Sequence, residues 1–172
     1  MTPTFRRRPG PGWVRGVCSG TTLLAAAALG GCADGPVTLT SPQVSAEDLA
    51  TCNEFLADLP DQLADHERRK VNPAAALGRA WGDPAIVVRC GVGVPADFDV
   101  TSPCEEADGV GWFVPEEQID DQDADLVFTA VGYRPIVEVD VPHDYRPEGS
   151  AAAIAELAQP VSDHLRKVND CE

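Results

Sequence analysis

Apolar positions along the chain change period several times, and the changes mark out the elements. Leu49, Cys52, Leu56, Leu59 and Leu63 recur at helical spacing. Ser45 stands before them as an N-cap, with Glu47 and Asp48 in the first turn, where the positive end of a helix dipole favours carboxylates. Pro60 falls inside this pattern, so the first helix is expected to end or kink near Leu59, with room for a second short helix. Asn72-Pro73 and Trp81-Gly82-Asp83-Pro84 then break the periodicity. Residues 85–90 form a short apolar run rich in β-branched side chains and read as a strand, and residues 110–114 form a second. Between them, residues 91–109 are rich in Gly, Pro and acidic side chains and read as a loop.

Residues 126–131 and 136–141 are two further strands, joined through Gly132-Tyr133-Arg134-Pro135 as a hairpin with a longer loop. In the second, Val137, Val139 and Val141 alternate with Glu138 and Asp140, which puts one face on a core and the other in water. Ile154, Leu157, Ala158, Val161, Leu165 and Val168 share a helical face interrupted by Pro160, predicting a kinked helix or two consecutive ones. The order helix, strands, helix predicts an α+β domain. Its sheet is expected to be small and antiparallel, of about four strands, with the N- and C-terminal helices packed on one face.

Ahead of this domain the pattern is different. Residues 1–16 carry Arg6, Arg7, Arg8 and Arg15 with no acidic residue, and residues 17–29 are uncharged and apolar or small. Such a run is shorter than the roughly 20 residues that cross a bilayer, and its layout is that of a secretory signal. Leu29-Gly30-Gly31-Cys32 closes it and resembles the lipobox of bacterial lipoproteins, which implies cleavage before Cys32 and acylation of its thiol. The expected organisation is a lipoprotein signal peptide over 1–31, a lipidated tether over 32–44 and one extracytoplasmic domain over 45–172. Residues 33–45, with two prolines and no periodicity, read as extended chain. The implied location is the outer face of the cytoplasmic membrane.

The net charge of −15 rests on 28 acidic against 13 basic side chains, and losing the four leading arginines makes the remainder more acidic still. That balance repels phosphate backbones and argues against nucleic acid as a partner. A composition 44% hydrophobic and 24% charged argues against disorder of the whole chain. Arg outnumbers Lys, which occurs only at Lys70 and Lys167, a bias of GC-rich coding rather than a functional signal.

Six cysteines are present. Cys18 falls in the signal and Cys32 at the lipid site, leaving Cys52, Cys90, Cys104 and Cys171. Four in an exported chain point to two disulfides with three connectivities open. The preferred pairing joins Cys52 to Cys171, tying the first helix to the chain end, and Cys90 to Cys104, stapling the central loop. A four-thiolate metal site is disfavoured because no two of them are in C-x-x-C spacing.

Chemistry-bearing motifs are few. Asp120, Asp121, Asp123 and Asp125 resemble the start of a calcium loop, but Leu126 and Gly132 occupy the positions that need Gly and a bidentate Glu, so a solvated acidic loop is expected. His66 and His164 fall on predicted helices. His143 follows a strand, where functional loops often begin. No nucleophile elbow, phosphate-binding Gly loop or zinc-protease motif occurs, and no cofactor is indicated. Trp81 and Trp112, with Arg89 and His143, are the candidate ligand-binding residues, although packing in the core is the favoured role for the tryptophans. Arg89 within an apolar strand is expected either on the outer face or paired with a carboxylate such as Glu138.

Taken in order, Ala80-Trp81-Gly82-Asp83-Pro84, Val87-Val88-Arg89-Cys90-Gly91-Val92 with Pro95, Val110-Gly111-Trp112 and Val139-Asp140-Val141-Pro142 are similar to the family catalogued as domain of unknown function 3515, over about residues 45–168. The resemblance implies a short exported or lipid-anchored protein of high-GC Gram-positive bacteria and carries no catalytic residue. The expectation is therefore a lipid-anchored, non-catalytic binding or accessory module. Its partners would be the membrane, through the N-terminal lipid, and a cell-envelope protein or glycan. The alternative is an envelope hydrolase using unrecognised carboxylates or His143.

Overall fold

The computed structural model describes residues 35–171; the signal segment 1–31, Cys18 and the lipidation candidate Cys32 lie outside them. In chain order the elements are β1 (Val37–Thr38), α1 (Ala46–Asp58), β2 (Gln62–Leu63), β3 (His66–Arg69), β4 (Val71–Asn72), β5 (Gly78–Trp81), β6 (Ile86–Val92) and β7 (Cys104–Ala107). There follow β8 (Val110–Phe113), α2 (Glu116–Asp120), β9 (Leu126–Thr129), β10 (Tyr133–Arg134), β11 (Ile136–Val141), a single 3-10 turn (His143–Tyr145), α3 (Glu148–His164) and β12 (Arg166–Lys167). Eight strands form one antiparallel sheet in the order β2-β3-β5-β6-β11-β9-β8-β7, beside the two-stranded pairs β1-β4 and β10-β12. The class is α+β, but the expectation of a sheet of about four strands is wrong. The four apolar runs are β6, β11, β9 and β8, and the sheet continues past them on both sides through strands made largely of charged or small residues.

α1 begins where the sequence places it: the Ser45 hydroxyl accepts from the Asp48 N–H at 3.0 Å. It buries Cys52, Phe55 and Leu56 and leaves Leu49 exposed, so the buried stripe runs through Phe55 rather than Leu49. No second helix follows Pro60. Leu63 is instead the end of β2, and Ala64 and Asp65, both at positive φ (48° and 65°), turn the chain tightly into β3. His66, expected on a helix, is therefore a strand residue.

Strand alternation gives the sheet two different faces. Ile86, Val88 and Cys90 of β6, with Val137, Val139 and Val141 of β11, join the main core with Phe55 and Leu56 of α1 and Ile154, Leu157 and Val161 of α3. Both helices thus cover one face, as expected. α3 runs unbroken through Pro160 and stops at His164 with Leu165 as its C-cap, short of the predicted Val168. The Val168 and Asn169 N–H groups donate to the Gly132 carbonyl, binding the terminal segment to the hairpin loop. That approach depends on glycine. A Cβ at Gly132 would stand 2.5 Å from the Asn169 carbonyl oxygen, and one at Gly111 would stand 2.7 Å from the Cys171 Cβ.

On the opposite face the segment after Gly35 forms a smaller cluster: Leu39 packs with Ala76, Ala80 and Val87. β1 pairs in parallel with β4, and the Ser41 hydroxyl accepts from the Leu77 N–H at 2.9 Å. From Gly35 onward, the stretch expected as a free tether is laid against the sheet.

The disulfides are Cys52–Cys90 and Cys104–Cys171, with Cα separations of 5.6 and 5.9 Å. This corrects the preferred pairing. Cys90 lies in β6 and Cys104 in β7, four strand intervals apart in the sheet. At about 4.8 Å per interval that is about 19 Å, far beyond the 7 Å or so that a disulfide spans.

Candidate functional site

Arg89, the odd cation in an apolar strand, stands on the outer face at the middle of the sheet, in register with Gly78 on one side and Glu138 on the other. Its guanidinium meets the Glu138 carboxylate at 2.7 Å and the Asp140 carboxylate at 3.8 Å. Both expected alternatives hold at once: the residue is on the outer face and it is paired. Burial pushes the Asp140 carboxyl above its ordinary range, with the Arg89 charge opposing the shift. The trio forms a half-buried charged strip, and its arginine is already occupied.

Beyond β11 the chain turns past His143. The His143 N–H donates to Asp125 Oδ1 at 2.9 Å, and the ring Nδ1 lies 2.9 Å from the same oxygen. These bonds hold Asp125 below its ordinary pKa, and the bond to Asp125 raises His143 above its own. Ring Nε2 faces Asp144 at 3.6 Å. Next to it, Arg146 reaches into the acidic loop. Its Nη1 donates to the carbonyls of Gln118, Asp121 and Ala124 at 3.0, 2.7 and 2.7 Å. Three carbonyls that converge in this way would suit a hard cation, but the guanidinium occupies their focus. Of the calcium-like aspartates, Asp125 serves His143. Among the described residues no group of three or more His, Cys, Asp or Glu could hold a metal ion.

Trp81 and Trp112 are completely buried. Trp81 donates through Nε1 to the Pro60 carbonyl at 3.1 Å and lies beneath the Arg68 guanidinium, 5.5 Å from the ring centroid. Neither ring presents a face to a ligand, so both tryptophans pack in the core instead of binding one. Arg89 and His143 each pair with their own carboxylates, Glu138 and Asp140 for the first and Asp125 and Asp144 for the second. Tyr145 packs its ring on His66, 4.1 Å between centroids, and donates to the Pro84 carbonyl at 2.8 Å. His164 meets Asp58 at 3.0 Å, joining the ends of α3 and α1.

A family model described as a protein of unknown function, DUF3515, matches residues 15–169, nearly the whole chain. The chain belongs to that family. No curated protein and no solved structure matches it. The family match begins upstream of the 45–168 read from the sequence, and so takes in the apolar run and Cys32.

In this DUF3515 chain a groove of about 540 Å³ lies between the loop after β6 and the hairpin loop before β11, lined by Val94, Phe98, Val100, Val131, Arg134 and Asn169 among others. Val94 and Val100 are exposed, and Phe98 rests edge-on against Phe113, 5.2 Å between centroids. Sequence reading missed this groove because residues 91–109 were read as loop alone. The available signal was Val94, Phe98 and Val100, set among Gly93, Pro95, Ala96, Asp97 and Asp99. A smaller apolar depression of about 220 Å³ lies between α2, α3 and the sheet, with Ile119 and Arg146 at its rim.

Proposed function

We propose that this DUF3515 protein is a lipid-anchored extracytoplasmic module that binds or supports a component of the cell envelope without catalysis. The observation that carries the reading is the fate of the cysteines. All four in the domain are spent in two disulfides, and such bonds persist in oxidising compartments outside the cytoplasm. Cys32 then remains at the end of a signal-like apolar run, in a segment that the family match includes. No described helix is long and apolar enough to cross a membrane, so attachment on this reading falls to acyl chains, each buried methylene contributing about 0.8 kcal/mol. The groove walled by Val94, Phe98 and Val100 is the surface on which a partner is expected. Recruitment of a hydrolytic activity to His143 has less support, since the ring's polar partners among the described residues are two carboxylates.

The test is an intact mass of protein extracted from membranes, alkylated with and without prior reduction. A chain starting at Cys32 with added acyl mass, and four thiols only after reduction, is the expected result. An unprocessed chain or free thiols would overturn the reading.

A further inference from the structure

The anchor reading leaves open how the domain stands on the membrane, and the packing of residues 35–41 bears on this. The Arg69 guanidinium donates to the Gly35 carbonyl at 2.9 Å, and the Val37 N–H donates to the Lys70 carbonyl at 2.8 Å. Gly35 is three residues beyond Cys32. Extended chain covers at most about 3.6 Å per residue, so an acylated Cys32 lies within about 11 Å of Gly35. That is close to one Debye length at physiological salt, about 8 Å. With a link that short, the corner made by β1 and β4 stands close to the anchor point.

The charge of that corner is unlike the rest of the molecule. In a chain of net charge −15, residues 35–46 and 70–82 contain no carboxylate, and they are the segments that pack together there. Lys70 is exposed and makes no ion pair among the described residues. Arg69 is paired with Asp83 at 3.1 Å, which leaves that carboxylate answered. Asp34, in the link itself, is the remaining acidic residue before Glu47. The acidic loop at 116–125 belongs to the other half of the sheet, between β8 and β9. These two segments thus present an anionic surface with a lysine and with no carboxylate of their own to repel it.

Resting on the lipid-anchor reading, we infer that the β1–β4 corner, with Lys70 at its centre, is a docking surface for anionic phospholipid, and that it fixes the domain with its acidic loop away from the bilayer. The chain's two lysines make the test internal. Lys70 belongs to the corner; Lys167, in β12, is paired with Asp170 at 2.6 Å and serves as the reference.

Membrane-extracted protein is inserted into vesicles of phosphatidylcholine with or without phosphatidylglycerol and labelled with a membrane-impermeant amine reagent. The expected result is a several-fold slowing of Lys70 modification relative to Lys167 on the anionic vesicles, against detergent as baseline. Lys70→Glu, at an exposed site, should abolish the accompanying protection of amides 70–82 from hydrogen exchange. If intact mass shows acyl chains while Lys70 labels as fast as in detergent, the docking is overturned and the anchor stands. If no acyl mass is found, both fall. Protection in native envelopes but not on vesicles would overturn lipid as the occupant in favour of a protein or glycan.

Discussion

Two terms rank the disulfides in opposite orders, so removing each in turn decides which dominates. On the chain-entropy relation, loops of 38 and 67 residues correspond to about 3.9 and about 4.4 kcal/mol at 25 °C, favouring Cys104–Cys171 by about 0.5 kcal/mol. Packing points the other way. Cys52 and Cys90 are completely buried, whereas Cys104 and Cys171 are partly exposed. Replacing a buried sulfur by hydrogen resembles deleting one buried methylene, about 1 kcal/mol for each side chain including the space left behind. Packing therefore outweighs the loop difference. The double variant Cys52→Ala, Cys90→Ala is expected to lose about 5–6 kcal/mol and Cys104→Ala, Cys171→Ala about 4–5 kcal/mol. Losses of that size approach the whole stability of a domain. Urea unfolding followed by the fluorescence of Trp81 and Trp112 should therefore be run in sucrose or TMAO, which shift both variants equally toward the folded state. A larger loss in the Cys104/Cys171 pair would refute the reasoning.

Arg146→Met should release the carbonyls of Gln118, Asp121 and Ala124, destabilise the domain by about 2–3 kcal/mol, as expected for hydrogen bonds to a charged group, and speed hydrogen exchange across 116–125; unchanged exchange there would remove the arginine from its organising role. Gly111→Ala forces its new Cβ against Cys171 and should make the Cys104–Cys171 bond the more readily reduced of the two, read by timed alkylation and peptide mass. The His143 ring should titrate above its ordinary 6.5, followed by NMR, and Asp125→Asn should bring it back down. With that sign, the His143 contribution to stability is complete below its unfolded pKa and is lost as pH rises through the folded value. Asp125, whose folded pKa is depressed, contributes above its unfolded value of 3.8 and loses that contribution as pH falls through the folded one.

The strands that could be read are those whose sequence reports burial. β6, β8, β9 and β11 lie inside the sheet, and their Val, Ile, Phe and Trp side chains announce it. β3 is His-Glu-Arg-Arg and β7 is Cys-Glu-Glu-Ala, charged as strands toward a sheet's margins tend to be, and polar residues carry no period-two signal. Asp108-Gly109 did carry a strong hairpin signal, hidden within a stretch dismissed as loop. Ala64-Asp65 makes a comparable turn without the residues that advertise one. Of the site residues, the partner of Arg89 was legible because Glu138 alternates outward on a neighbouring strand. The Arg146 contacts were not, since backbone carbonyls leave no mark on sequence.

The Cys52–Cys90 bond also has a mechanical meaning. A pull applied at the N-terminus loads β1 first, then α1, and peels chain only as far as Cys52. From there tension crosses the sulfurs directly to Cys90 in the middle of the sheet, so β2 to β5 are carried as slack and bear no load. The other bond does the same at the far end, where the last residues are welded to the start of β7. Between these two bypasses, force is borne by the antiparallel ladder from β6 through β11 and β9 to β8, the apolar centre of the molecule.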